Sequence, residues 1–246
     1  MGEQIVLGLG NNIDYEIVWD SQVLERLIIE FNIRDSEICS DIQIFSIRNL
    51  VVSILGFLKN ESGGEHFVNS LEIILDFASL FQKKITMGGT SFRAAMAMRK
   101  IGYNSALHLV TTNDLVRKMI PQDTPWVCSN DSDSFYPHLI VQFDKGTCVK
   151  AGDVSLQTKS ANRIIYVNDH DNFVMEISPE LESLSSDARV FLVSGFNAMQ
   201  SGELLSDKLD KLLKIIKSLP SDTIVFYEDA CYHNLSLNKL VRDTLI

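Results

Sequence analysis

The chain alternates between short apolar runs and longer stretches in which apolar residues recur every three or four positions. Gln4-Ile5-Val6-Leu7-Gly8-Leu9-Gly10 reads as a buried first strand that ends in glycine, with Asn11-Asn12-Ile13-Asp14 behind it. Tyr15 to Trp19 alternates and predicts a short second strand. Asp20 or Ser21 then caps a helix whose apolar positions are Val23, Leu24, Leu27, Ile28 and Phe31. From Ser36 to Phe81 the pattern is mostly helical. Ile44, Ile47, Leu50, Val51, Ile54 and Leu58 form one face, and Phe67, Leu71, Ile74, Leu75, Phe77 and Leu80 form the next. The glycine pair in Glu61-Ser62-Gly63-Gly64-Glu65 separates them.

Lys84-Ile85-Thr86-Met87 is a further strand and feeds Gly88-Gly89. These glycines open an Ala- and Met-rich helix that Gly102 ends in a left-handed turn, and Ala94, Ala95 and Ala97 are small enough to let that helix lie close to a sheet. Ser105 to Val110 is a strand and Asn113 to Ile120 a short helix, whereas the polar stretch from Pro121 to Pro137 reads as irregular. His138 to Phe143 and Arg163 to Val167 are β-like, and Ala188 to Phe196 is a buried strand with glycine near its end. Asp207 to Leu219 is an amphipathic helix stopped by Pro220, Thr223 to Glu228 is the last strand, and Asn234-Leu235-Ser236 starts one more helix that runs to Ile246. Strands alternating with helices imply βαβ units and a mainly parallel sheet, whose ligands belong at the carboxyl ends of the strands.

Composition narrows the classes. A chain of 246 residues with 46% apolar positions can bury a sizeable core. A formal net charge of −10 with scattered Lys and Arg argues against a nucleic-acid surface. The four cysteines, Cys39, Cys128, Cys148 and Cys231, show no CxxC spacing and so no zinc signature, and they fit free thiols in a reducing compartment. The start of the chain does not look like a signal peptide and no apolar run reaches membrane length, so the expected location is cytoplasmic, with no membrane partner.

Several strand ends carry residues with chemistry. Gly88-Gly89 at a helix start would bring a ligand close to free N–H groups, although a tight turn without a ligand has the same sequence; the Walker and dinucleotide patterns are both absent. Asn12 and Asp14 suit a polyol, yet both residue types also make Asx turns. Glu228, followed by Asp229, is either a hard-oxygen metal contact or a solvated strand end. His108 and His138 read as satisfied core histidines, and Asp169-His170-Asp171-Asn172 reads as a polar turn in preference to a metal cluster.

Taken in order, these elements resemble the ADP-dependent sugar kinases, the glucokinase and phosphofructokinase family with a ribokinase-like fold. Asn12-Ile13-Asp14 is similar to the family's sugar-contacting segment and Met87-Gly88-Gly89 to its sugar loop. His138-Leu139-Ile140 with Phe143, then Ala161-Asn162-Arg163-Ile164-Ile165 with Asp169 to Asn172 behind it, are similar to its central segment. Leu192-Val193-Ser194-Gly195-Phe196-Asn197-Ala198-Met199 resembles its Leu-Ser-Gly-x-x-x-Met run, and Tyr227-Glu228-Asp229-Ala230 falls at its His-x-Glu, with Phe226 in place of the His.

The resemblance implies a three-layer α/β/α fold with a mainly parallel sheet and a small β-rich lid, the lid strands coming from about 14–20 and 138–170. It implies phosphoryl transfer from ADP to a hexose or hexose phosphate, with Asn12, Asp14, Gly88, Gly89 and Arg163 on the sugar and Mg²⁺ near Glu228. The family's Gly-x-Gly-Asp motif does not occur in this sequence; Gly195-Phe196-Asn197 is not that motif, and Asn238-Lys239-Leu240-Val241 lacks the Glu of the family's Asn-x-x-Glu. The expectation is therefore a partial fold, lacking its C-terminal part and inactive alone. Two alternatives stand beside it: one half of a split kinase completed by a second chain, and a non-catalytic sugar-binding or regulatory module.

Overall fold

The computed structural model describes residues 4–229 and 235–245. In chain order the elements are β1 (Ile5–Leu7), β2 (Asn12–Ile17), α1 (Ser21–Glu30), α2 (Ile47–Asn60), β3 (Gly64–Phe67), α3 (Leu71–Ser79), β4 (Lys83–Gly88), α4 (Thr90–Lys100), β5 (Ala106–Leu109), α5 (Asp114–Met119) and β6 (Trp126–Cys128). Then follow β7 (His138–Phe143), β8 (Cys148–Ala151), β9 (Val154–Gln157), β10 (Asn162–Val167), α6 (His170–Val174), α7 (Leu181–Leu184), β11 (Val190–Val193), α8 (Gly202–Ser218), β12 (Ile224–Tyr227) and α9 (Leu235–Leu245). The chain divides into two compact units, and it passes from one to the other after Ile13, Thr86, Phe135 and Asp169.

The first unit is built on a five-stranded sheet in the order β12-β11-β1-β5-β6. Every pairing in it is parallel: β1 lies between β11 and β5, β12 extends from β11 and β6 from β5. The mixed α/β class with a parallel sheet is thus as the strand-helix alternation predicts. Val6, Phe191 and Val193 are buried with Leu205, Leu209 and Leu212 of α8 and Leu237 and Val241 of α9 in one apolar cluster. That burial explains why the inner strands are continuous apolar runs, since a parallel strand between two layers has no wet face. α8 starts earlier than its apolar spacing suggests, because the Ser201 side chain accepts from the Leu204 N–H and caps it at Gly202.

β6 corrects the irregular reading of 121–137. Trp126-Val127-Cys128 are apolar enough to add to the sheet, and Leu107 N–H donates to the Pro125 carbonyl at 2.9 Å. Proline lacks only a donor, so it can open an edge strand through its carbonyl.

The second unit holds a five-stranded mixed sheet, β3-β10-β7-β2-β4, and a separate hairpin of β8 and β9. The hairpin turns through Gly152-Asp153, with Gly152 at φ 60. A glycine in the left-handed region suits such a two-residue turn. The segments 14–20 and 138–170 lie in this unit through Asp169, together with residues 21–86, so three helices accompany its strands. α1 is capped by Asp20, whose carboxylate accepts from Gln22 N–H, and it buries Val23, Leu24, Leu27 and Ile28.

The amphipathic reading of α2 is corrected as well. Residues 50–58 are buried without interruption, so the helix is apolar on all sides and central to its unit. Gly56 makes this possible: a Cβ there would stand 2.2 Å from the Ser40 backbone nitrogen, so the 39–40 segment crosses the helix where no side chain exists. Ser53 is accommodated because its hydroxyl bonds the Tyr166 hydroxyl at 3.0 Å. β3 also falls in the stretch expected to be mostly helical. Its parallel pairing with β10 gives Gly64 to Phe67 a backbone partner that local propensity does not reveal.

Candidate functional site

In the second unit, register decides which side chains meet. Asp14 stands opposite His138, Glu16 opposite Ile140, Arg163 opposite Gln142, and Ile165 opposite both Ile140 and Glu65. Residues directly opposite in a sheet share a face, and alternate residues along a strand do too. One face therefore carries Asp14, Glu16, Glu65, His138, Gln142 and Arg163. The other carries Leu139, Val141, Ile164 and Tyr166, which are buried in the apolar core. This two-sidedness is what a sheet packed on one side only needs.

The polar face is rich in carboxylates that have nearby cations. Asp14 is buried, at 3% exposure, and an Arg163 guanidinium nitrogen lies 3.8 Å from its carboxylate. His138 Nε2 is 2.8 Å from Asp169 Oδ2. Burial alone would lower the His138 pKa. The hydrogen bond to Asp169 and the charges of Asp169, Asp14 and Glu65 outweigh it and raise the pKa above the usual histidine value. Thr86 donates its hydroxyl to Glu16 at 2.8 Å. Buried carboxylates with one adjacent guanidinium can accept sugar hydroxyls and hold a sugar phosphate respectively. His138 is satisfied by Asp169, as its place at the start of an apolar run suggests.

In the first unit, the carboxyl ends of the parallel strands are tied by a buried polar network. Asn11 is buried, accepts from Val110 and Thr111 N–H at 2.9 and 3.1 Å, and donates to the Thr111 carbonyl at 3.0 Å. Asn172 donates to the Asn11 carbonyl at 2.9 Å, and Thr111 donates its hydroxyl to Asp171 at 2.8 Å. Ser134 donates to the same Asp171 oxygen. Asp171 and Asn172 lie on the short helix α6, not in the polar turn that Asp169-His170-Asp171-Asn172 suggests, and both side chains are committed to these contacts. Sequence spacing placed Asn11 only as a neighbour of Asn12, and its role depends on a partner 100 residues away.

The glycine pair is explained by the same strand ends. Gly89 has φ 91 and ψ 135, and an added Cβ would be 2.7 Å from the Gly10 carbonyl oxygen and 2.8 Å from Asn11 Cα. Backbone meets backbone there, which only glycine permits. Ser91 then donates to the Gly10 carbonyl at 2.8 Å. Of the three alanines of α4, only Ala95 is buried; Ala94 is half-buried and Ala97 exposed.

Glu228 follows β12 at its carboxyl end, where its N–H donates to the Val193 carbonyl at 2.9 Å. Burial raises its carboxyl pKa, against a hydrogen bond from Thr90 that lowers it. Thr90 is the first residue of α4. The start of that helix therefore already faces a carboxylate, which suits a sugar hydroxyl better than a second anion. Asp229 is held by Arg242 and, at 2.7 Å, by Asn238. Among the described residues no cluster of three His, Cys, Asp or Glu side chains is placed to enclose a metal ion. Glu228 fits a single contact to a hydrated Mg²⁺, not a closed protein cage.

His108 is a satisfied core histidine, as its place in an apolar run suggests. Its Nε2 accepts from Ser178 N–H at 2.9 Å, so the proton is on Nδ1, which faces the Leu9 carbonyl at 3.1 Å. Asn12, Gly88, Gly89 and Glu228 belong to the first unit, and Asp14 and Arg163 to the second. Cys39 and Cys148 are exposed and Cys128 half-buried, all three as free thiols; Cys231 and Ala230 lie outside the described residues.

An all-parallel sheet with polar side chains gathered at its carboxyl ends places the chain among the α/β proteins whose ligands bind at strand ends. The family described as "ADP-specific Phosphofructokinase/Glucokinase conserved region" matches residues 3–246, and the chain belongs to that family. No curated protein sequence matches it. Among solved structures, a hypothetical ADP-dependent phosphofructokinase from Pyrococcus horikoshii OT3 is similar over 100% of this chain and 62% of its own, with a TM-score of 0.74 and 15% identity. A phosphofructokinase from the same organism, solved with AMP, covers 99% of this chain and 61% of its own at a TM-score of 0.72 and 14% identity. An ADP-dependent kinase in complex with fructose-6-phosphate and ADPβS covers 99% and 55% at a TM-score of 0.71 and 11% identity. At these identities the likeness is one of fold. The chain spans about three-fifths of the length of the solved relatives it matches.

Proposed function

We propose that this chain takes part in ADP-dependent phosphoryl transfer to a hexose or hexose phosphate. The observation that carries the reading is the family match across residues 3–246. Asp14 and Arg163 are assigned to the sugar or sugar phosphate, as are Asn12, Gly88 and Gly89. Support for the pair Asp14 and Arg163 comes from their shared polar face and 3.8 Å approach. Glu228, steadied by Thr90, is assigned to the hydration shell of Mg²⁺, which when bound would neutralise phosphate charge. Magnesium and ADP enter as the family's reactants; the AMP, ADPβS and fructose-6-phosphate complexes are those of relatives.

The sequence carries no Gly-x-Gly-Asp, so the chain is proposed to bind sugar by itself and to transfer phosphoryl groups only with a complement that supplies that segment. Calorimetry with glucose and with fructose 6-phosphate tests the binding half, with Asp14→Asn as the variant that should weaken it. A coupled assay of ADP-dependent sugar phosphorylation tests the second half. Robust turnover by this chain alone would overturn the proposed incompleteness. Sugar binding without turnover under any complement would favour the second reading, a non-catalytic sugar-binding module, which the missing Gly-x-Gly-Asp supports.

A further inference from the structure

α8 carries a lysine where its apolar pattern asks for a hydrophobe. Lys208 lies among Leu205, Leu209 and Leu212 on the face that α8 buries, and its own exposure is 2%. No other lysine or arginine among the described residues is buried. Its ammonium donates to the Glu176 carboxylate at 2.6 Å and has Asp207 at 3.4 Å. Both carboxylates are about half-exposed, so water would satisfy them without Lys208. Taking an ammonium out of water costs about as much as such a pair returns, and an apolar side chain of similar volume would serve the helix as well or better. The stability of α8 does not account for this lysine.

Glu176 follows Met175, where the chain leaves α6 in the left-handed conformation, at φ 46. Helix ends of that kind ordinarily go to glycine or asparagine, because a Cβ is unfavourable there. Here the side chain is what is needed. Met175 is fully buried, and its Cε would be 3.0 Å from a Cβ on Gly10 and equally 3.0 Å from one on Gly195. The thioether methyl thus fills the space that two glycines leave beyond β1 and β11. Asn172, one turn earlier, reaches the same place: its Oδ1 would be 2.3 Å from the Gly10 Cβ, and its amide holds the Asn11 carbonyl. Two anchors keep the turn in this shape, His108 at the Ser178 N–H and Lys208 at Glu176. A strained turn persists when its surroundings over-determine it, and such turns gather at ligand sites. This one bears on the backbone of Gly10 and Asn11, which leads directly into Asn12.

We infer that Lys208 is a positioning residue for Asn12. Through Glu176 it holds the Met175 turn, and the turn holds the strand end that aims Asn12. The inference rests on the proposed assignment of Asn12 to the sugar.

The test pairs calorimetry with glucose and fructose 6-phosphate with NMR of the full chain, labelled at methionine methyls and backbone amides. Lys208→Met nearly keeps the volume and removes the charge. It should leave the urea midpoint unchanged or raised, and shift the Met175 methyl and Asn12 amide resonances. It should also weaken the sugar that wild type binds by about tenfold. Glu176→Ala should weaken that sugar equally, and the double variant no further than either single one, because both cut the same tie. Lys211→Met removes a half-exposed lysine of α8 that pairs with Asp207, and should change neither affinity nor these resonances. An unmoved Asn12 amide in Lys208→Met overturns the inference. So do additive losses in the double variant, or full affinity in Lys208→Met beside a loss in Asn12→Ala. If wild type binds neither sugar, or Asn12→Ala binds as wild type does, the sugar assignment fails instead, and the Asn12 resonance still decides what Lys208 positions.

Discussion

Replacing Gly89 by alanine should be among the most damaging single-methyl additions in this chain. Two costs combine at this position. At φ 91 and ψ 135 the backbone is in a region that residues with a Cβ rarely adopt, worth about 1–3 kcal/mol. The new methyl would also stand 2.7 Å from the Gly10 carbonyl oxygen and 2.8 Å from Asn11 Cα. These are backbone atoms, and Asn11 is further fixed by Val110 and Thr111, so relief requires the ends of β1 and β5 to move. Overpacking of this kind costs about 1–3 kcal/mol more. The sum, about 2–6 kcal/mol, is a large part of the roughly 5–15 kcal/mol that holds a domain folded. Gly102→Ala is the internal control. Its φ is 90, but nothing lies within 4 Å of the added Cβ, so only the conformational cost of about 1–2 kcal/mol applies. Urea unfolding of both variants, followed by tryptophan fluorescence and circular dichroism, compares them directly. Equal losses for Gly89→Ala and Gly102→Ala would refute the argument that close backbone contact, and not turn geometry alone, requires glycine after β4.

The two histidines respond to pH in opposite directions. Burial lowers the His108 pKa to about 4 from an unfolded value near 6.5, so its neutral form is fully tolerated above pH 6.5 and stability is lost as pH falls towards 4. That loss is about 3 kcal/mol, and an unfolding midpoint that is flat between pH 6.5 and 4 in wild type but sloped in His108→Phe would contradict it. His138 has a raised pKa, so its contribution is complete below about pH 6.5 and fades as pH rises through the folded value. Asp169→Asn should lower the His138 pKa in an NMR titration, and an unchanged value would show that Asp169 is not its main partner. Arg163→Gln should weaken fructose 6-phosphate at least tenfold in calorimetry and glucose by less; equal effects on both would remove Arg163 from phosphate recognition.

Much of the fold was legible because the apolar pattern is local. The runs at Ile5, Ala106 and Val190 are strands, Asp20 and Asn113 are caps, and the alternation of strand and helix implied a parallel sheet. What escaped depended on distant partners. β3 and β6 are short and flanked by glycine or proline, and each exists because β10 or β5 offers an edge. The central burial of α2 could not be told from an amphipathic helix, since it depends on the 39–40 segment crossing at Gly56 and on Tyr166 meeting Ser53. For the candidate site, sequence order alone brought out Asn12, Asp14, Gly88, Gly89, Arg163 and Glu228 and the family to which they point. Tertiary structure decided what each faces. Register set Asp14 and Arg163 on one polar face, and the end of β12 placed Glu228 against the helix start that follows Gly89. It also made Asn11, Asp171 and Asn172 ties between strand ends. A sequence fixes periodicity, caps and turns because these depend on neighbours within a few residues. Which polar groups meet depends on pairings up to 186 residues apart, and only the folded chain brings those together.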